Sequence, residues 1–354
     1  MYVPDKLTVK QSVCRKKFRG CVVEKFIQYA ISHNVQELNI RTKCRNSKIK
    51  PFKLSTFNSK SMKKLTLDLL LDEDFALESN CWDLPALTTL HLKHAFSWYN
   101  GVKPNLPESS LTSLPALPTL CLDYADLSEI SLSLPNLKTL HLNNCKLPQR
   151  VWDLPALLSL NLKNVQLPEN MSDMFSNLIN LRHLTLIFER EYKQRDHFIS
   201  CPRLLNLNIS CDFDYDQGKI VVSAPKLCNF SSFGIFLIKV EAPELEDVNI
   251  KLKGWPRYVS REKMKRYYQQ FTRMLSGLGT AKNLSFDLES IEALSEIINI
   301  QARVSSPFIN LKYVKLPKEY RSSRLSSALR SYLLGGCRGA TVVTTSALQN
   351  NRTL

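Results

Sequence analysis

The chain has 354 residues, 44% of them hydrophobic, enough to bury a large core and to exclude wholesale disorder. Its 10 glycines are too few for Gly-rich nucleotide loops, and its 10 cysteines contain no C-x-x-C pair, so they read as reduced thiols of an intracellular protein. The net charge of +16 admits acidic partners or nucleic acid, but no known nucleic-acid-binding motif accompanies the basic runs at 15–19, 41–53 and 257–266. A solvated, lysine-rich surface is the favoured account of them.

The first twenty residues are basic and lack the apolar core of a signal peptide, and no later run approaches a membrane span. Cytoplasm or nucleus is the expected compartment. The stretch 21–34 places Val22, Phe26, Ile27 and Ala30 on one helical face, which predicts an N-terminal helical cap.

From Val35 onward one spacing recurs, L-x-x-L-x-L. It falls on Val35-Leu38-Ile40, Met62-Leu65-Leu67, Leu87-Leu90-Leu92, Leu117-Leu120-Leu122, Leu137-Leu140-Leu142 and Leu157-Leu160-Leu162. It continues on Leu181-Leu184-Leu186, Leu204-Leu207-Ile209 and Leu245-Val248-Ile250, with weaker copies at Leu227-Phe230, Ala281-Leu284-Phe286 and Leu311-Val314-Leu316. The total is about twelve leucine-rich repeats, a period that means a solenoid. Leu142-x-x-Cys145-x-Leu147 completes the consensus tail.

The expected fold is therefore α/β: a leucine-rich-repeat horseshoe with a concave parallel sheet. Its convex side would be irregular, with 3₁₀ turns or short helices. The 20-residue units leave room only for extended chain or a single 3₁₀ turn there. A short helix is predicted near 172–178, and a longer amphipathic one over about 260–278, with Ser260 as N-cap and Met264, Tyr267, Phe271, Leu275 and Leu278 on its apolar face. The stretch 322–336 predicts a capping helix stopped by Gly335-Gly336, followed by a last strand at 340–344 and a frayed tail. Domain boundaries follow: 1–33 a basic segment and helical cap, 34–320 the solenoid, and 321–354 a helix-strand cap and tail.

Side chains alternate along a strand, so the leucines of L-x-L face the core and the residue between them faces out. The outward row reads His91, Cys121, His141, Asn161, Thr185 and Asn208, and the row after it Lys93, Asp123, Asn143 and Lys163. These ten are the candidate partner-binding residues, although ordinary solvated strand faces have the same polarity. His91, Cys121 and His141 on three consecutive strands are zinc-ligand types, but no fourth ligand can be named, so no metal and no cofactor is assigned. No Walker A, G-x-G-x-x-G, H-E-x-x-H or G-x-S-x-G motif is present, and the expectation is a non-enzymatic protein.

"VEKFIQYAISHNVQELNI" (23–40), "LPNLKTLHLNNCKLP", "CPRLLNLNISC" and "APELEDVNI", with "FTRMLSGLGTAKNLSFDLESIEALSEI" (271–297) and "SYLLGGCRGATVV" (331–343), resemble the repeat part of plant F-box/LRR proteins. The resemblance runs from about Phe18 to Val343. It implies a substrate-holding module of an SCF-type, cullin-RING ubiquitin ligase, with a protein substrate on the concave face. Family members dock a Skp-type adaptor through an F-box that precedes the segment matched here by 23–40. The residues before it lack that pattern, so adaptor binding is expected only if an F-box lies upstream. The alternatives are a repeat protein that binds nucleic acid or acidic surfaces, and a small-ligand-sensing receptor of the same architecture.

Overall fold

The computed structural model describes residues 5–12, 21–44, 57–71, 82–94, 114, 116–128, 130–148, 152–167, 171–188, 196–211, 219–234, 237–252, 261–300, 305–320, 325–337 and 339–345. The Ser260 N-cap, the basic run 15–19, most of 41–53 and the tail after 345 lie outside them. The fold is α/β and dominated by parallel sheet, and the chain divides into two compact units, 1–168 and 169–354.

Unit 1 contains β1 (Lys6–Ser12), α1 (Cys21–Ser32), β2 (Glu37–Cys44), β3 (Phe57–Asn58), β4 (Lys64–Leu71), β5 (Trp82–Asp83) and β6 (Thr89–His94). It continues with β7 (Thr119–Asp123), β8 (Leu132–Ser133), β9 (Thr139–Asn143), β10 (Trp152–Asp153) and β11 (Ser159–Lys163). Its main sheet runs β1-β2-β4-β6-β7-β9-β11, every pair parallel. Six copies of the leucine triplet supply six of those strands, and all eighteen triplet positions are at most 2% exposed. Parallel pairing at one repeat per strand aligns like with like, so Leu120, Leu140 and Leu160 stand in register, as do Leu122, Leu142 and Leu162. Burying each such leucine is worth roughly 1.5–3 kcal/mol, and no single repeat could bury its own apolar face.

The exit from each strand is also repeated. Tyr124, Asn144 and Asn164, one residue past β7, β9 and β11, adopt φ of 63°, 53° and 52°. The left-handed turn lets the amide of Tyr124 donate to the Asn143 carbonyl, and that of Asn144 to the Lys163 carbonyl, each at 2.8 Å. The chain then dives inward at Ala125, Cys145 and Val165, all buried. At Cys145 the thiol lies 3.3 Å from the Leu122 carbonyl oxygen and the sulfur accepts from the Ala125 amide at 3.4 Å. In this repeat a small donor-acceptor side chain fills the consensus position, where the neighbouring repeats hold the apolar Ala125 and Val165.

Unit 2 contains α2 (Met171–Ser176), β12 (His183–Phe188), β13 (His197–Ser200), β14 (Asn206–Cys211), β15 (Lys219–Ser223), β16 (Asn229–Phe233), β17 (Leu237–Glu241) and β18 (Asp247–Lys251). There follow α3 (Arg261–Ser276), β19 (Asn283–Phe286), α4 (Leu288–Ile300), β20 (Tyr313–Pro317), α5 (Ser327–Leu334) and β21 (Thr341–Thr345). The parallel order is β12-β14-β16-β18-β19-β20-β21. The remaining triplets are again buried, with Ser232 (0% exposed) in the last place of the copy that begins at Leu227. α3 buries Tyr267, Phe271 and Leu275 as its spacing predicts, adds Tyr268 and Met274, and packs against β17. α5 is capped by the Ser326 hydroxyl, which accepts from the Leu329 amide at 3.2 Å. A Cβ at Gly336 would overlap the Phe308 carbonyl oxygen, which explains a glycine where this cap turns.

The structure adds three features that the spacing did not predict. Some of the segments expected as extended chain or 3₁₀ turns pair with one another as short parallel strands. β8 pairs with β10, β3 with β5, and β13, β15 and β17 form a three-stranded sheet. Repeats of similar length bring these segments into register too; Leu134 N–H donates to the Asp153 carbonyl at 3.1 Å and Ser133 Oγ to Asp153 Oδ2 at 2.9 Å. The N-terminal segment is not only a helical cap, because β1 lies parallel to β2 with α1 between them. And α4 follows β19 at once: Asp287 accepts from the Ser290 amide at 2.9 Å, and Ser290, fully buried, receives the Leu252 amide at 2.9 Å.

Candidate functional site

On the main sheet of unit 1 the outward residues of successive strands form rows. The middle row is Asn39, Thr66, His91, Cys121, His141 and Asn161, each in register with the next. Beside it runs Arg41, Asp68, Lys93, Asp123, Asn143 and Lys163. All eight unit 1 candidates therefore stand on one face as their spacing predicts, half-buried between neighbouring strands. Asn39, Arg41, Thr66 and Asp68 belong with them. They are the letters after Leu38, Ile40, Leu65 and Leu67, and extend the row that the spacing predicts from His91 onward.

The second row alternates in charge. Arg41 Nε lies 3.8 Å from Asp68 Oδ2, Lys93 Nζ 4.0 Å from Asp123 Oδ2, and His91 Nε2 3.4 Å from the same oxygen. These are loose pairs compared with charge-assisted hydrogen bonds at about 2.7–2.9 Å. Asn143 accepts from the side-chain amide of Asn144 at 2.9 Å. Two acceptors, Asn39 Oδ1 and Asp68 Oδ1, are buried without a hydrogen-bond partner.

Burial pushes the Cys121 thiol up to about 11, the Asp123 carboxylate adds to this, and Lys64 partly offsets it. Burial also lowers His141, helped by the neighbouring His91 and opposed by Asp123. At neutral pH the centre of this face thus carries a thiol and a neutral imidazole, which donate and accept hydrogen bonds without an activated nucleophile. His91, Cys121 and His141 occupy in-register positions. Among the described residues, however, no group of three or more His, Cys, Asp or Glu side chains is placed to hold a metal ion.

In unit 2 the middle row is Thr185, Asn208, Ser231, Asn249, Ser285 and Lys315. Thr185 and Asn208, the two candidates here, are in register and half-buried. The row preceding it, His183, Asn206, Asn229 and Asp247, is in register too and is not among the predicted residues. Asn229 Nδ2 donates to Asn206 Oδ1 at 2.8 Å, and Asn206 Nδ2 lies 2.9 Å from His183 Nδ1. The signal was available: each residue immediately precedes the second apolar letter of its triplet.

A hollow of about 460 Å³ elsewhere in unit 2, lined by residues including Val240, Glu241 and Thr280, contains none of the predicted residues. The six described cysteines that can be assessed are free thiols, and among the described residues no helix is long and apolar enough to cross a membrane. In comparisons with known proteins, no family model, no curated protein and no solved structure matches the chain.

Proposed function

We propose that the chain is a leucine-rich-repeat solenoid of about twelve repeats, a horseshoe whose outward sheet rows recognise a protein partner without catalysis. The observation that carries this reading is the division of labour within each strand. The triplet positions are buried apolar letters almost without exception, whereas the letters between them change from strand to strand and remain polar and, apart from the buried Thr66, half-exposed. Selection for shape alone would not need an outward row as varied as Asn39, Thr66, His91, Cys121, His141 and Asn161. The loose ion pairs offer charged groups that a partner's polar groups would engage.

The resemblance to plant F-box/LRR proteins makes the partner a substrate presented to a ubiquitin ligase in the cytoplasm or nucleus. Adaptor docking would follow only if an F-box lies upstream of this chain. The net charge of +16 sustains a second reading, an acidic or nucleic-acid ligand, whose retention would fall steeply with salt.

Site-specific photo-cross-linking in plant extract tests the proposal. A benzophenone amino acid at position 141, on the outward row, should capture a reproducible protein. The same group at position 153, exposed on β10, should not. Capture from both positions alike, from neither, or of nucleic acid in place of protein would overturn it.

A further inference from the structure

The row that precedes the middle row of unit 2 is directional. His183, Asn206, Asn229 and Asp247 stand in register on β12, β14, β16 and β18. A primary amide nitrogen can only donate, so the 2.9 Å contact from Asn206 Nδ2 requires His183 Nδ1 to be the accepting nitrogen, with the ring proton on Nε2. The next bond, Asn229 Nδ2 to Asn206 Oδ1 at 2.8 Å, runs the same way. The chain of donors therefore points from β16 to β12. On the other side of Asn229, the in-register residue on β18 is the acceptor Asp247. Its carboxylate lies 3.7 Å from Lys315 Nζ.

We propose that this row is a reversible hydrogen-bond relay switched by protonation of His183. A proton taken from solvent by Nδ1 turns that nitrogen from acceptor to donor, and the Asn206 amide can no longer donate to it. A half-turn of Asn206 presents its oxygen to the imidazolium and its N–H₂ to β16. Asn229 then makes the same half-turn and donates to Asp247. No covalent bond other than the new N–H forms or breaks. Both end states satisfy the row, one beginning at Asn229 and ending on a neutral imidazole, the other beginning on an imidazolium and ending on a carboxylate. The outward donor and acceptor pattern inverts between them across two strands. That would change what any ligand on this face meets.

From β14 the in-register neighbour of His183 is the uncharged Asn206. Arg182 precedes His183 in the chain and is exposed, and Arg203, in the turn before β14, is engaged by Asn180 Oδ1 at 2.7 Å. The relay is a property of the protein alone and does not depend on the identity of a partner.

The experiment is a pH titration of the full chain with ¹⁵N-labelled histidine and asparagine, followed by NMR from about pH 8 to pH 5, the range in which imidazoles titrate. The relay requires the Nε2–H tautomer of His183 at high pH. It also requires the Asn206 and Asn229 side-chain amides to shift with the same midpoint as His183. In Asn206→Leu, which keeps the imidazolium field but breaks the chain, the Asn229 shift should vanish. His183→Gln, which does not titrate, should flatten both amides at that midpoint. An Nδ1–H tautomer at high pH, an Asn229 amide indifferent to the His183 titration, or an Asn229 shift that persists in Asn206→Leu would each overturn the relay.

Discussion

The thiol of Cys145 reaches the carbonyl oxygen of Leu122 at 3.3 Å, linking the inward dive after one strand to the backbone of the strand before it. The same sulfur accepts from the Ala125 amide at 3.4 Å. Cys145→Ala removes both contacts inside the core and should cost about 1–3 kcal/mol. Cys145→Asn, whose amide can both donate and accept, should stay within about 1 kcal/mol of the parent. Urea unfolding of the three proteins measures this, and equal losses would show that the sulfur serves only as volume.

Cys121, on the outward face, is held protonated first by burial and then by the Asp123 carboxylate. A raised thiol value means that little thiolate is present near neutrality, so alkylation of Cys121 by iodoacetamide should be slow at pH 7 and accelerate toward pH 11. Asp123→Asn removes one of the two causes and should move the pH–rate profile to lower pH. Peptide mass spectrometry at timed intervals reads the rate at this cysteine alone.

Asp126 lies in the turn after β7. Burial would raise its carboxyl, but bonds from the Ser128 hydroxyl and amide, at 2.7 and 3.2 Å, and from Lys146 Nζ, at 3.0 Å, together hold it below the usual range. A carboxylate lowered by folding stabilises the protein above its unfolded value of about 3.9 and loses that contribution as pH falls through the folded value. Stability should therefore drop on the acid side of about pH 4, and Asp126→Asn should flatten that part of the profile. Thermal melts between pH 2 and pH 6, compared for parent and variant, give the sign directly.

Asn144 holds φ at 53° in the repeated exit turn. A β-branched residue there should cost about 1–2 kcal/mol, so Asn144→Val should lower stability while Asn144→Gly should stay near the parent. If glycine proves as damaging as valine, the bond from the Asn144 amide to Asn143 Oδ1 outweighs the backbone conformation.

What the sequence revealed of this fold follows from how often each signal repeats. The leucine triplets recur so many times that strand positions, inward faces and outward rows all emerge from spacing, down to the register of His91, Cys121 and His141. Features made once were harder to read. α4 begins only two residues after the last buried letter of a weak triplet, Phe286, so its Asp287 cap and the apolar period Ile291, Leu294, Ile298 were hidden beside the strand signal. The short strands β8 and β10 hold two residues each, too few for any period; their pairing arises because neighbouring repeats bring them into register. Ionisation on the outward face was not legible either. It depends on which side chains lie across a strand gap, as Asp123 does from His91, and on how much water each retains.

The inside-outside assignment underlies both the architecture and the proposed recognition surface, and two adjacent residues test it. Leu142 is 1% exposed, whereas His141 stands on the outward face. Leu142→Asp loses a buried leucine and buries a carboxylate without a partner, which should cost about 4 kcal/mol or more. His141→Ala should remain within about 1 kcal/mol of the parent. The decisive measurement is equilibrium urea unfolding of both variants beside the parent. A collapse of stability in Leu142→Asp alone is the expected result. Comparable losses in the two, or a larger loss in His141→Ala, would contradict the register on which the fold and its function rest.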